Sequence, residues 1–122
     1  MSGIEVNAED LTSSKVDERF LQKAIELVEK NLDNSDYSVE AFSDDMCMSR
    51  MNLYRKLQII TGQKPTEFIR SIRLKKAAGL LTHTELTVIE ISEKVGFATP
   101  SYFSKCFKDM FGVLPTQYHS QD

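Results

Sequence analysis

The residues best suited to chemistry fall in two short runs, Arg50-Met51-Asn52-Leu53-Tyr54-Arg55 and Pro100-Ser101-Tyr102-Phe103-Ser104-Lys105. If each run opens a helix and turns Leu53 and Leu57, or Phe103 and Phe107, inward, one set of side chains is left facing out. In the first run these are Arg50, Met51, Tyr54 and Arg55; in the second they are Pro100, Ser101, Tyr102 and Lys105. An arginine fork matches O6 and N7 of guanine, the commonest specific contact in the DNA major groove. Met51 and Tyr54 offer apolar surface to a thymine methyl, and Tyr54 adds a hydroxyl. Ser101 and Tyr102 can donate to a base or a phosphate, and Lys105 can do either. The helix starts at Ser49 and Thr99 are expected phosphate anchors, with Asn52 and Lys56 beside the first, because the amides of a helix N-terminus attract anions.

Catalytic chemistry finds little footing. The only histidines, His83 and His119, have no carboxylate or cysteine at ligand or triad spacing. Gly62 and Gly112 read as helix stops, not as a phosphate-cradling loop. Cys47 and Cys106 read as two buried, reduced thiols of a cytoplasmic protein. The expectation is a binding protein, not an enzyme, with no cofactor or metal.

The elements that must position these runs follow from periodicity and caps. Phe20, Leu21, Ala24, Ile25, Val28 and Leu32 predict a helix over 17–32, with Asp17 and Glu18 at its N-terminus. Residues 1–16 read as a polar, acidic linker, with a short alternation at Ile4 and Val6 and an appended remnant at Met1-Ser2-Gly3. Ser38 caps a helix over 39–46, and Ser49 caps one over 50–60 that Gly62 ends. Pro65 opens a long helix over 65–82, in which Gly79 marks a close helix crossing. Thr87-Val88-Ile89-Glu90 is a capping box before a helix over 88–95. Thr99-Pro100 begins a helix over 100–111, and Pro115 through Tyr118 forms a last short one. The fold class is therefore all-α, about seven helices, with no strand.

The two short-helix pairs repeat each other. Val39, Phe42, Ser43 and Met46 match Val88, Ile91, Ser92 and Val95 at an offset of 49, while Leu53, Leu57 and Gly62 match Phe103, Phe107 and Gly112 at an offset of 50. The extra residue falls in the turn, where length changes at little cost. Short helix, tight turn and longer helix, with a small serine at the crossing, is the layout of a helix-turn-helix. The expected organisation is a first unit over 17–64, a connecting helix over 65–82 and a second unit over 83–122.

Charge is polarised along the chain. Of 122 residues with a net charge of −3, residues 46–76 carry eight basic side chains against Glu67 alone, while residues 1–45 carry twelve acidic side chains against four basic ones. An acidic total thus conceals a basic segment over the first reading run. The rival to DNA binding is a helical module whose basic face takes an acidic protein partner. RNA fits less well, since the aromatics form no stacking platform.

The run from Met48 through Leu57, followed by Thr61-Gly62, Pro65, Phe68-Ile69-Arg70, Arg73-Leu74 and Ala77 through Leu81, resembles the DNA-binding domain of the AraC/XylS family. Ile91 through Phe97, Pro100 through Lys105, Phe107-Lys108, Phe111-Gly112 and Pro115 through Tyr118 extend the likeness over 17–119. The resemblance implies two helix-turn-helix units in neighbouring major grooves of double-stranded DNA. It also implies action on transcription, usually activation, with RNA polymerase as a partner. Asp17-Glu18-Arg19-Phe20-Leu21 after the acidic start is similar to the output domains of Bacteroides-type hybrid two-component regulators. That narrower likeness implies upstream regulatory domains and a parent dimer anchored in the inner membrane. With no ligand pocket or phosphorylation site evident in the sequence, the domain itself is expected to be cytoplasmic and monomeric and to take no small-molecule ligand.

Three positions depart from the family pattern. Cys47 stands where the first turn often has glycine, Lys64 where a serine cap is common, and Pro100 at the first reading position of the second unit.

Overall fold

No glycine or proline interrupts residues 8–30, and one helix, α1 (Ala8–Lys30), fills that span in the computed structural model, which describes residues 8–119 and side chains from 15 to 118. The helix expected over 17–32 therefore starts nine residues early. Asp17 and Glu18, taken as an N-terminal pair, lie within it, where glutamate is a good helix former and aspartate is tolerated. Met1-Ser2-Gly3, Ile4 and Val6 lie outside the described residues.

Six further helices follow: α2 (Val39–Asp45), α3 (Arg50–Thr61), α4 (Pro65–His83), α5 (Val88–Lys94), α6 (Pro100–Phe111) and α7 (Pro115–His119). The architecture is all-α as expected, with no strand among the described residues. Side-chain oxygens set the starts. Ser38 accepts from the Ala41 N–H at 3.1 Å, and Thr87 and Glu90 close the capping box at 3.1 and 2.9 Å. Hydrogen bonds to the Thr87 backbone and side chain hold the Glu90 carboxyl below its ordinary pKa. Before α4 only half a box forms: the Lys64 N–H donates to Glu67 Oε1 at 2.9 Å, and lysine has no acceptor to return the bond.

Two apolar clusters lie along α4. Phe20, Ala24, Val28, Phe42, Leu53 and Leu57 pack with Phe68, Ile69 and Ile72 on its first half. Ile91, Val95, Phe97, Phe103 and Phe107 pack with Leu74, Ala77, Ala78 and Leu81 on its second half. The connecting helix is thus a wall of both cores. Its 19 residues span about 28 Å. Gly79 marks no close crossing, because a Cβ built there meets nothing within 4 Å.

The sequence repeat is a repeat of hydrogen bonds. The Met46, Cys47 and Met48 N–H groups donate to Phe42, Asp44 and Ser43 carbonyls, and the Val95, Gly96 and Phe97 N–H groups donate to Ile91, Glu93 and Ser92 carbonyls, all at 3.0–3.1 Å. Both turns pass through the left-handed region, Cys47 at φ 58° and Gly96 at φ 82°. Cys47 therefore does not alter the turn; it adopts the conformation glycine would take, at a cost of about 1–2 kcal/mol. Cys47 is exposed, so only Cys106 is the expected buried thiol, and both are free. Ser43 and Ser92 are both buried at the crossing. Ser43 donates to the Glu40 carbonyl at 2.9 Å, whereas the Ser92 hydroxyl has no partner among the described residues.

One charged side chain ties the halves together. Arg73, on the buried face of α4 with Ile69 and Ala77, is 5% exposed. It donates to the carbonyls of Leu32 at 2.5 Å and Asn34 at 2.9 Å, just past α1, and to Val95 at 2.7 Å, the cap of α5. Burial lowers its pKa, against an opposing pull from Asp33.

Candidate nucleic-acid interface

The inward register of Leu53 and Leu57, both fully buried, fixes what α3 shows to solvent. Arg50, Met51, Tyr54 and Arg55 are all exposed as expected, Met51 by 65% and Tyr54 by 42%. Exposure alone does not mark a contact, since Ile59 of the same helix is 82% exposed. Arg50, Met51 and Tyr54 line one groove with Val39 and with Lys64, Pro65 and Thr66 at the start of α4.

On α6, Phe103 and Phe107 are buried and Pro100, Ser101, Tyr102 and Lys105 are exposed. Tyr102 packs its ring against Phe97, centroids 5.7 Å apart, which holds it in place while leaving 49% exposed. Tyr102 and Lys105 line a second groove with Gln63, Glu67 and Arg70 of the α3–α4 junction. Pro100 has no N–H, so the first turn of α6 presents fewer amides to an anion than that of α3.

The helix starts are more occupied than their sequence suggests. Ser49 Oγ accepts from the Asn52 N–H at 3.1 Å, and Thr99 Oγ1 accepts from the Tyr102 N–H at 3.2 Å. Each hydroxyl keeps its own proton for a phosphate, but those two amides are taken. Asn52 is exposed beside Arg55. Lys56 is set apart from the other candidates: it is half-buried, with Nζ 4.8 Å above the Phe20 ring of α1. Its counterpart at the offset of 50 is Cys106, which is buried, so this register turns toward the body of the protein.

Two residues escaped the sequence reading. Ser104 is the counterpart of Tyr54 at the same offset, and is half-exposed on α6; the repeat itself carried that signal. Arg70 lies between the two reading helices. It lines the groove shared with Tyr102 and Lys105, and another shared with Ser38, Thr66 and Tyr102, and makes no hydrogen bond or ion pair with the described residues. Sequence registers it only as charge, indistinguishable from Arg73 three residues on.

A helix-turn-helix domain family matches residues 42–121. A protein of Formosa agariphila named "Histidine kinase P4" is 41% identical over 116 residues, covering 95% of this chain and 8% of that protein. The transcriptional activator RhaR of an Enterobacter strain is 32% identical over 91% of this chain and 39% of its own length. The chain thus spans well under half of these curated relatives. Among solved structures, the C-terminal domain of AraT, a response regulator of Geobacillus stearothermophilus, superposes with a TM-score of 0.76 at 34% identity, covering 84% of this chain and 85% of that one.

Proposed function

The chain belongs to the AraC-type helix-turn-helix family of DNA-binding transcription regulators, and from that footing we propose that it lays α3 and α6 into neighbouring major grooves of one duplex. The observation that carries this reading is the duplicated reader. The same turn hydrogen bonds hold two second helices, each burying the registers of Leu53 and Phe103 and of Leu57 and Phe107, on a single supporting helix of about 28 Å. Successive major-groove faces recur about every 34 Å along DNA. In this reading Arg50, Met51, Tyr54 and Arg55 read bases in one block. Pro100, Ser101, Tyr102 and Lys105 read the other, with Ser104 added. Ser49, Asn52 and Thr99 anchor phosphates; Lys56 serves mainly to hold α1.

The domain acts within a longer cytoplasmic or membrane-anchored regulator of the hybrid two-component kind, supported by the likeness to a much longer histidine kinase. It is not an enzyme and takes no cofactor, contacts RNA polymerase when activating, and is monomeric until upstream domains pair two copies. The unit boundaries 17–64, 65–82 and 83–122 are retained, with residues 8–16 assigned to α1.

Selection from a random duplex library tests the proposal. The enriched sites should hold two short blocks about 10 bp apart. Arg55→Ala should weaken binding by about 1–3 kcal/mol and relax preference in one block, and Lys105→Ala should act on the other, by less. Enrichment of a single block, or equal weakening of every sequence by both variants, overturns the two-groove reading.

A further inference from the structure

The two apolar clusters share α4 as a wall, with Leu32 reaching from the end of α1 to the second cluster, so little apolar packing keeps either unit from rolling about that axis. Phase along DNA is sensitive to such a roll. One base pair corresponds to about 35°, since a turn takes 10–10.5 bp. Something must hold the second unit against the first.

We propose that the Arg73 guanidinium is the strap that fixes the angle between the two reading helices, and so sets the spacing of DNA blocks that the protein accepts. This rests on the two-groove reading. The carbonyls it joins belong to opposite units: Leu32 and Asn34 follow the C-terminal end of α1, and Val95 caps the C-terminal end of α5. Carbonyls past helix C-termini have lost their intrahelical partners and are partly negative, which suits Leu32 and Val95 to one cation; the Asn34 carbonyl also accepts from the Tyr37 N–H at 3.1 Å. Arginine alone suits the task, because a planar fork can donate in two directions where an ammonium acts from a point.

Gly96 carries the independent mark of the strap. A Cβ at that position would stand 1.4 Å from Arg73 Nη1 and 2.3 Å from the Leu32 carbonyl oxygen. The equivalent turn residue of the first unit, Cys47, carries a side chain in the same left-handed conformation. The second turn therefore needs glycine to admit the guanidinium and the end of α1, and not merely for its backbone angles. Leu32 itself packs against the second cluster, which adds an apolar contact to the same junction.

The test uses the full chain and the selected two-block duplex with its spacer lengthened or shortened by one and two base pairs. The wild type should lose roughly tenfold in affinity per base pair of mismatch, as an order of magnitude. Arg73→Gln should flatten that profile to within about threefold while leaving the affinity for either single block unchanged, and Arg73→Lys should fall between. In parallel, spin labels at Ile59 and Lys108, with Cys47 and Cys106 changed to serine, report the distance between α3 and α6 without DNA. That distribution should be narrow with Arg73 and broader with lysine, so the strap remains testable if Arg73→Gln does not fold. Equal loss at every spacing with an unbroadened distance makes Arg73 merely structural and overturns the proposal. A wild type indifferent to spacing refutes the two-groove reading instead, while the label distances still decide the strap.

Discussion

Replacing Gly96 with alanine should be among the most damaging single-methyl changes the chain can take. Two separable costs arise. The backbone sits at φ 82°, and forcing an L-residue there costs about 1–2 kcal/mol. The new Cβ would also occupy the space of Arg73 Nη1, at 1.4 Å, and crowd the Leu32 carbonyl oxygen at 2.3 Å. The guanidinium must leave, giving up bonds worth about 1.5–3 kcal/mol each when one partner is charged. With all three bonds lost the sum reaches about 5–11 kcal/mol, comparable with the roughly 5–15 kcal/mol that holds a domain folded. Gly112→Ala supplies the control, since it has the same φ of 82° but nothing within 4 Å of its Cβ; it should cost only the backbone share. Urea unfolding followed by circular dichroism separates them. With a slope of about 1–3 kcal/mol per molar urea, Gly96→Ala should unfold at least about 1 M earlier than Gly112→Ala. If the two variants lie within about 1 kcal/mol of each other, Arg73 does not fill the space assigned to it.

Other outcomes follow from the same geometry. Cys47→Gly should raise stability by about 0.5–1 kcal/mol in the same urea assay, because glycine relieves the left-handed strain at φ 58° and loses part of the gain to chain entropy. Gly79→Ala should stabilise by up to about 1 kcal/mol, since the helix gains propensity and the methyl meets nothing. Arg70→Gln should lower the slope of log K against log salt by about 1 and weaken all sequences alike, as a phosphate contact does. The Glu90 carboxyl titrates below its unfolded value, so its capping bond contributes fully above the ordinary carboxylate range and is lost as pH falls through the lowered pKa. The difference in melting temperature between wild type and Glu90→Gln should therefore shrink as the pH drops below about 4.

The helices were legible because their ends carry signals: Ser38, Ser49, Thr87 and Thr99 cap, and Gly62 and Gly112 terminate. The inward registers of α3 and α6 were legible for the same reason that the units repeat, a period of 3.6 residues written twice. The start of α1 was not. Acidic residues suit a helix N-terminus and a helix interior alike, and no breaker intervenes between residues 8 and 17. Arg73 was hidden by its type. An arginine two positions from the nearest exposed charge reads as surface, and only long-range geometry reveals that three carbonyls from distant segments surround it. Gly79 erred in the opposite sense, since a helical glycine suggests a close approach that the packing does not contain.

That hidden arginine also changes the electrostatics. The basic segment over 46–76 reads as a DNA-facing surface, yet part of it faces the protein. Arg73 is spent on backbone carbonyls, Lys56 lies over Phe20, and Lys76 pairs with Glu29 at 3.8 Å. Each holds α1 or its end against the body. The cations left near the reading helices are Arg50, Arg55, Lys64, Arg70, Lys105 and Lys108. At roughly −0.9 per neutralised phosphate, those give a salt slope no steeper than about −5. Base-specific forks draw on the same arginines, so contacts that read sequence are taken from contacts that bind without it. A single domain of this kind gains specificity at the expense of affinity. Pairing two copies on one site restores the affinity through effective concentration, without adding a charge to either.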